Sequence, residues 1–94
     1  MTVKTKIFRI RGLVQGVYFR KYTEAKATEL KLKGWVRNRL DGSVETCAQG
    51  DEAALKDFKA WLWQGSPASE VGSVEENDIA SSESFQNFAV RGTE

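Results

Sequence analysis

The fold class this sequence predicts is α+β: two helices laid on one face of an antiparallel sheet. Three observations lead there. Two segments carry apolar residues at helical spacing, and extended segments stand before, between and after them. The two extended segments in the middle are joined by Asp41–Gly42, a hairpin turn signal. No repeat, linker or low-complexity tract interrupts the series, and 94 residues suit one domain over 1–94 with a single core.

Each element has its own warrant. "KIFRIRG" alternates, with Phe8 and Ile10 on one face and Ile7, Arg9 and Arg11 on the other, which predicts a strand buried on one side. A loop over 12–19 follows, bearing Gly12 and Gly16. "RKYTEAKATELKLKG" places Thr23, Ala27 and Leu30 at helical spacing, and Gly34 is positioned to stop the helix. "WVRNRL" and "SVETCAQ" flank the Asp41–Gly42 turn as paired strands. "GDEAALKDFKAWLWQG" predicts a second helix. Asp51 suits its N-cap, Leu55, Phe58 and Leu62 form the buried stripe, and Gly65 ends it. Ser66–Pro67 opens a connection to two more extended segments, "EVGSVEEN" and "SFQNFAVR". The order β-α-β-β-α-β, with the last strand open to splitting, is the ferredoxin-like split βαβ arrangement. That arrangement hosts many functions, so function must be read from residues.

Composition excludes several chemistries. Histidine is absent, which removes Ser-His triads, histidine general bases and the usual zinc sites. The single cysteine, Cys47, has no arginine six residues on to complete a cysteine-based phosphate loop, and it cannot form an internal disulfide. No glycine precedes Lys-Ser or Lys-Thr in the nucleotide-binding pattern. The carboxylates are scattered, so neither a metal nor a cofactor is expected. No run is long and apolar enough to span a membrane, and the N-terminus lacks a secretory pattern. A reducing cytoplasm is the expected compartment. Charge is split: residues 1–40 hold eleven Lys/Arg against two Asp/Glu, and residues 41–94 hold three against eleven. Such a split fits either a polyanion-binding half or two halves that interleave and neutralise each other.

Anion chemistry at the start of the first helix remains. A helix N-terminus carries unpaired N–H groups and partial positive charge. A glycine-bearing loop curling into it can aim further N–H groups at one point. Gly16 permits that backbone, and Arg20 adds a planar, permanently charged fork that fits two phosphate oxygens. The same pattern fits a plain βα turn with Arg20 solvated. Asn38, three residues before the Asp41–Gly42 turn, likewise fits a turn-proximal polar residue. Trp35, Trp61 and Trp63 read as packing residues.

"GLVQGVYFR" at 12–20 resembles the signature of the acylphosphatase family, Gly-x-Val-Gln-Gly-Val-x-Phe-Arg. "GWVRNRLDGSVE" at 34–45 resembles the family's second signature, and "WLWQGSP" and "FQNFAVR" match its habits, so the resemblance covers essentially the whole chain. It implies hydrolysis of acyl phosphates to carboxylate and inorganic phosphate. It implies that backbone N–H groups of Gln15, Gly16, Val17, Tyr18, Phe19 and Arg20 bind the phosphoryl group. Arg20 would clamp its oxygens and Asn38 would position the attacking water. The implied partner is a small acyl phosphate, with inorganic phosphate as product and competitive inhibitor. A metal-independent monomer, engaging neither nucleic acid nor membrane, is the expectation.

Two rivals bear comparison. RNA-binding domains share the element order, but their middle strands display aromatics, and "SVETCAQ" has none. A domain that binds phosphate or acyl phosphate without turnover would have no need of both Arg20 and Asn38.

Overall fold

The structure, a computed structural model, describes residues 3–80 and 84–94. The chain runs β1 (Val3–Leu13), α1 (Phe19–Glu29), β2 (Lys33–Asn38), β3 (Val44–Asp51), α2 (Glu52–Gln64), β4 (Glu70–Asp78) and β5 (Phe88–Val90). The strands lie in the order β4-β1-β3-β2-β5. β3 inserts between β1 and β2, and β1 inserts between β3 and β4, which is the split βαβ topology expected. Each neighbouring pair among β4, β1, β3 and β2 is antiparallel; β5 adds to the edge of β2 in parallel, which makes the sheet mixed.

Register aligns the core-facing side chains. Phe8 stands opposite Thr46, which stands opposite Val36; Ile10 stands opposite Val44, which stands opposite Asn38. Phe8, Ile10, Val36 and Val44 are fully buried, with Leu55, Phe58 and Leu62 of α2 and Phe19 and Ala27 of α1. Phe58 meets Phe8 and Phe88 edge-on, at 5.8 and 6.2 Å between ring centroids. Asn38 is therefore the last core-facing residue of β2, where the apolar layer ends.

The opposite face of the sheet shows where the charge split goes. Glu45 on β3 lies among Arg9, Arg37 and Arg39 at 3.2, 2.8 and 3.6 Å. Burial alone would raise its carboxyl, but hydrogen bonds from Arg37 and Arg9 outweigh that and hold it below the usual range. Arg11 pairs with Glu75 and Asp41, and Lys6 with Glu76 and Asp78. The basic first half is thus interleaved with the acidic second half. Trp35 is 9% exposed, with the guanidiniums of Arg37 and Arg91 at 4.7 and 4.8 Å from its ring.

Three local expectations need correction. Gly34 does not stop α1. The helix closes five residues earlier, with Lys31 in the left-handed region at φ 60°. Leu32 N–H bonds the Ala27 carbonyl at 2.8 Å and Lys31 N–H the Thr28 carbonyl at 3.0 Å, a Schellman closure. Gly34 instead lies inside β2, where a Cβ would sit 1.9 Å from the Cys47 carbonyl oxygen. Gly12 belongs to β1, at a bulge opposite β4, rather than to the following loop. Trp63 is 49% exposed and does not pack in the core, unlike Trp61, which lies against Phe19. Among the described residues no helix is long and apolar enough to cross a membrane.

Candidate active site

The segment between β1 and α1 is pinned by alternation. Val14 and Phe19 are buried and Val17 packs on the core, while Tyr18 is 75% exposed. The backbone is left-handed at Gly16, φ 74°, and again at Tyr18, φ 61° and ψ 23°. Left-handed residues alternating with others turn successive N–H groups toward one side, the geometry of an anion nest. Ser66, just beyond α2, fixes the direction: its hydroxyl donates to the Val17 carbonyl at 2.8 Å. In a trans peptide C=O and N–H point oppositely, so the Tyr18 N–H faces away from Ser66.

The helix beginning there has an uncompensated positive end. The first helical bond runs from Tyr22 N–H to the Tyr18 carbonyl at 3.1 Å, so the N–H groups of Phe19, Arg20 and Lys21 lack helical acceptors. No side chain caps α1, and its first turn holds no acidic residue. Arg20 and Lys21 add cations at the end where cations are disfavoured. An anion is what such a terminus lacks.

Arg20 and Asn38 border the same cleft, whose lining also includes Val14, Gly16, Tyr18 and Val90. The Arg20 guanidinium donates to the Arg91 carbonyl at 2.9 Å, which fixes one edge of the fork and leaves the rest free to act. Arg91 is held in turn: its N–H bonds the Val36 carbonyl at 2.8 Å, and Glu94 N–H bonds the Asn38 carbonyl at 3.1 Å. Glu94 also pairs with Arg37 at 3.1 Å. Asn38 is 9% exposed, and its Oδ1 is, among the described residues, the one buried side-chain oxygen or nitrogen with no hydrogen-bond partner. A buried carbonyl left without a donor costs ~1–3 kcal/mol, so this one stands out.

The expected site residues therefore converge, with different parts engaged. Gly16, Tyr18, Phe19, Arg20 and Asn38 line the cleft. Val17 is not among the lining residues; it packs on the core and its carbonyl accepts from Ser66. The Gln15 side chain does not face the cleft lining; its amide donates to the Arg39 and Ser43 carbonyls at 2.7 and 2.9 Å, tying the loop to the β2–β3 hairpin. That hairpin is set by Asp41, whose Oδ1 accepts from the Ser43 hydroxyl at 2.6 Å and the Ser43 N–H at 2.9 Å. These bonds, helped by Arg11 and Arg9, pull the Asp41 carboxyl down to about 2. Sequence reasoning missed Ser66, Arg91 and Glu94 as supports. Ser66 had a signal, since it follows the helix-ending Gly65; the Arg91 carbonyl had none, because it is backbone. Among the described residues no group of three or more His, Cys, Asp or Glu side chains could hold a metal.

Comparison with known proteins bears on the family to which the chain belongs. A sequence model of the acylphosphatase family matches residues 6–90. The acylphosphatase of Mannheimia succiniciproducens is 46% identical over 85 residues, which is 90% of this chain and 94% of that protein. The acylphosphatase of Xanthomonas campestris pv. campestris is 55% identical over 67 residues, 71% of this chain and 76% of its own. The crystal structure of acylphosphatase from Bacillus subtilis superposes with a TM-score of 0.91 at 37% identity, covering 96% of this chain and 99% of that one.

Proposed function

The chain belongs to the acylphosphatase family and hydrolyses acyl phosphates to carboxylate and inorganic phosphate, and from that premise we propose how its residues carry out the step. The phosphoryl group rests on backbone N–H groups of residues 15–20, with the unspent edge of Arg20 across two of its oxygens. Asn38 Oδ1 accepts a hydrogen bond from water and holds its oxygen in line with the scissile P–O bond. Water oxygen attacks phosphorus, and the bond to the acyl oxygen breaks with its electron pair leaving on the carboxylate. The water proton passes to a phosphoryl oxygen of the substrate.

The chemistry matches the residues present. A carboxylate is a good leaving group, since its conjugate acid has a pKa of ~4–5, and it departs without a general acid. What the reaction demands is positioning and charge neutralisation. Backbone amides, a helix terminus and one guanidinium supply these without a metal ion. The observation that carries the reading is the orphaned Asn38 Oδ1 bordering the same cleft as Arg20. A phosphate-binding site without turnover would have no use for it.

We further propose that the protein works as a cytoplasmic monomer, free of nucleic acid and membrane, with inorganic phosphate as competitive inhibitor. The cleft draws on β2, β5, α1 and the preceding loop of one chain, and Cys47 is a buried thiol. The open sheet face argues against an RNA platform, because Trp35 is covered by two guanidiniums and Arg9, Arg11 and Arg37 are paired with carboxylates. The test is phosphate release from an aryl acyl phosphate beside a phosphate monoester, with and without chelator. Turnover of the anhydride alone, unchanged by chelation, is expected. Comparable monoester hydrolysis, or loss of activity with chelator, would contradict the mechanism.

A further inference from the structure

A second hollow adjoins the phosphate cleft, lined by Tyr18, Lys21, Tyr22 and Ala25. Tyr18 and Lys21 line both, so the two are neighbours that share a wall. The four residues are spaced i, i+3, i+4 and i+7 from the start of α1, which places them on one helix face. That face is separate from the core stripe of Phe19, Thr23 and Ala27. Tyr18 is 75% and Tyr22 46% exposed; Tyr18 borders the cleft that holds Arg20, and Tyr22 lines the neighbouring hollow but not the cleft. Tyr18 also occupies a left-handed position that glycine would adopt with less strain, so its ring is retained at a cost in backbone energy.

We propose that this stripe is the acyl-group subsite, and that it selects acyl phosphates with an aromatic or extended apolar acyl group. The inference rests on the hydrolase reading above and extends it to the half of the substrate that the phosphate cradle does not touch. In an acyl phosphate the acyl carbon is one oxygen away from phosphorus. A substituent on that carbon leaves the cradle across Tyr18, onto Tyr22, Ala25 and the methylene stem of Lys21. Aromatic faces stack on a planar aryl group in offset or edge-on geometry, and a small acyl group ends before it reaches Tyr22. Selectivity is then carried by side chains on a rigid helix, while the phosphoryl end is carried by backbone.

The experiment compares benzoyl phosphate with acetyl phosphate in wild type, Tyr22→Ala and Ala25→Glu. Both substitutions lie on the exposed face of α1, outside the catalytic residues. For Tyr22→Ala, KM for benzoyl phosphate should rise ~5- to 10-fold, the loss of part of one ring contact. For acetyl phosphate KM should stay within about 2-fold. Ala25→Glu, which places bulk and negative charge on the shelf, should show the same substrate-selective loss. Inhibition by inorganic phosphate should be unchanged in all three proteins. Equal changes for both substrates, or none for either, overturn the subsite while leaving the hydrolase intact. Wild type that turns over neither substrate overturns the hydrolase reading and the subsite together. A sedimentation change in Tyr22→Ala with selectivity intact also overturns the subsite, assigning the stripe to contact with a second copy of the chain.

Discussion

Replacing Asn38 separates holding the phosphate from attacking it. Its Oδ1 is buried with no protein hydrogen-bond partner among the described residues, an arrangement that costs ~1–3 kcal/mol wherever no water meets it. Asn38→Ala removes the cost and also removes packing of a small polar side chain, worth ~1 kcal/mol. The two oppose each other. Net stability should move by no more than ~1–2 kcal/mol, in either direction, equivalent to ~4–16 °C in Tm for a domain of this size. Activity should behave differently. If the carbonyl fixes the nucleophile, kcat should fall ~100-fold or more, which is ~2.7 kcal/mol of barrier. Because the cradle is made by other residues, Kd for inorganic phosphate should stay within a few-fold. Asn38→Asp should fail as a catalyst too, since a carboxylate there repels the anionic substrate. It should also lose more stability than the alanine variant, because a buried charge replaces a buried dipole. Steady-state turnover beside calorimetric phosphate binding on the three proteins decides the matter. Equal losses of phosphate affinity and kcat/KM in Asn38→Ala would make Asn38 a binding residue and remove the water-positioning role.

Three other outcomes are expected. Arg20→Gln should lower kcat/KM at least ~100-fold and abolish competition by phosphate in parallel, with Tm retained; a variant that binds phosphate as wild type does would make the arginine a bystander. Gly34→Ala should destabilise by ~3 kcal/mol or more in urea titration, because the added Cβ meets a carbonyl oxygen at 1.9 Å, whereas Gly16→Ala meets nothing within 4 Å and should cost only the ~1–2 kcal/mol of a left-handed alanine. Asp41 titrates in the fold at about 2, below its ordinary 3.8, so its ionised form stabilises fully above the higher value and that contribution is lost as pH falls through the lower. The Tm gap between wild type and Asp41→Ala should accordingly shrink on acidification from pH 4 to pH 2, and a gap independent of pH would refute the link.

Much of this was legible because hydrophobic period and turn chemistry are local. Phe8 and Ile10 announced the buried face of β1, and both are fully buried. Gly16 and Arg20 could be put at a helix start from sequence alone. What stayed hidden depends on what is near in space and far in sequence. Gly34 looked like a helix stop because glycine is the usual one; its purpose is set by a carbonyl on β3, thirteen residues away. The parallel addition of β5 could not be read from three residues. Gln15 was placed correctly in the loop, but nothing nearby shows that its amide turns to the hairpin carbonyls. The supports of Arg20 are backbone groups of residues 91–94, and a backbone carbonyl has no letter of its own.

The site departs from stabilising rules that the rest of the chain obeys. Away from the cleft, buried hydroxyls find partners: Thr23 bonds the Phe19 carbonyl, Thr46 the Trp35 carbonyl and Ser66 the Val17 carbonyl. At the cleft, a tyrosine sits in a left-handed conformation, a helix begins without a cap and with cations where its dipole is already positive, and an amide carbonyl is buried without a donor. Taken singly, each is a small loss of stability. An anion and a water would answer them together. An anion over the loop would neutralise the helix end and fill the nest, and a water bound beside it would give Asn38 its donor. On the proposed mechanism, phosphate would answer the helix end and the nest, and the attacking water would answer Asn38. On that mechanism, ground-state binding energy would be drawn from the loop and Arg20, while the contribution that separates transition state from ground state would be concentrated at Asn38, the group whose proposed partner is the attacking water.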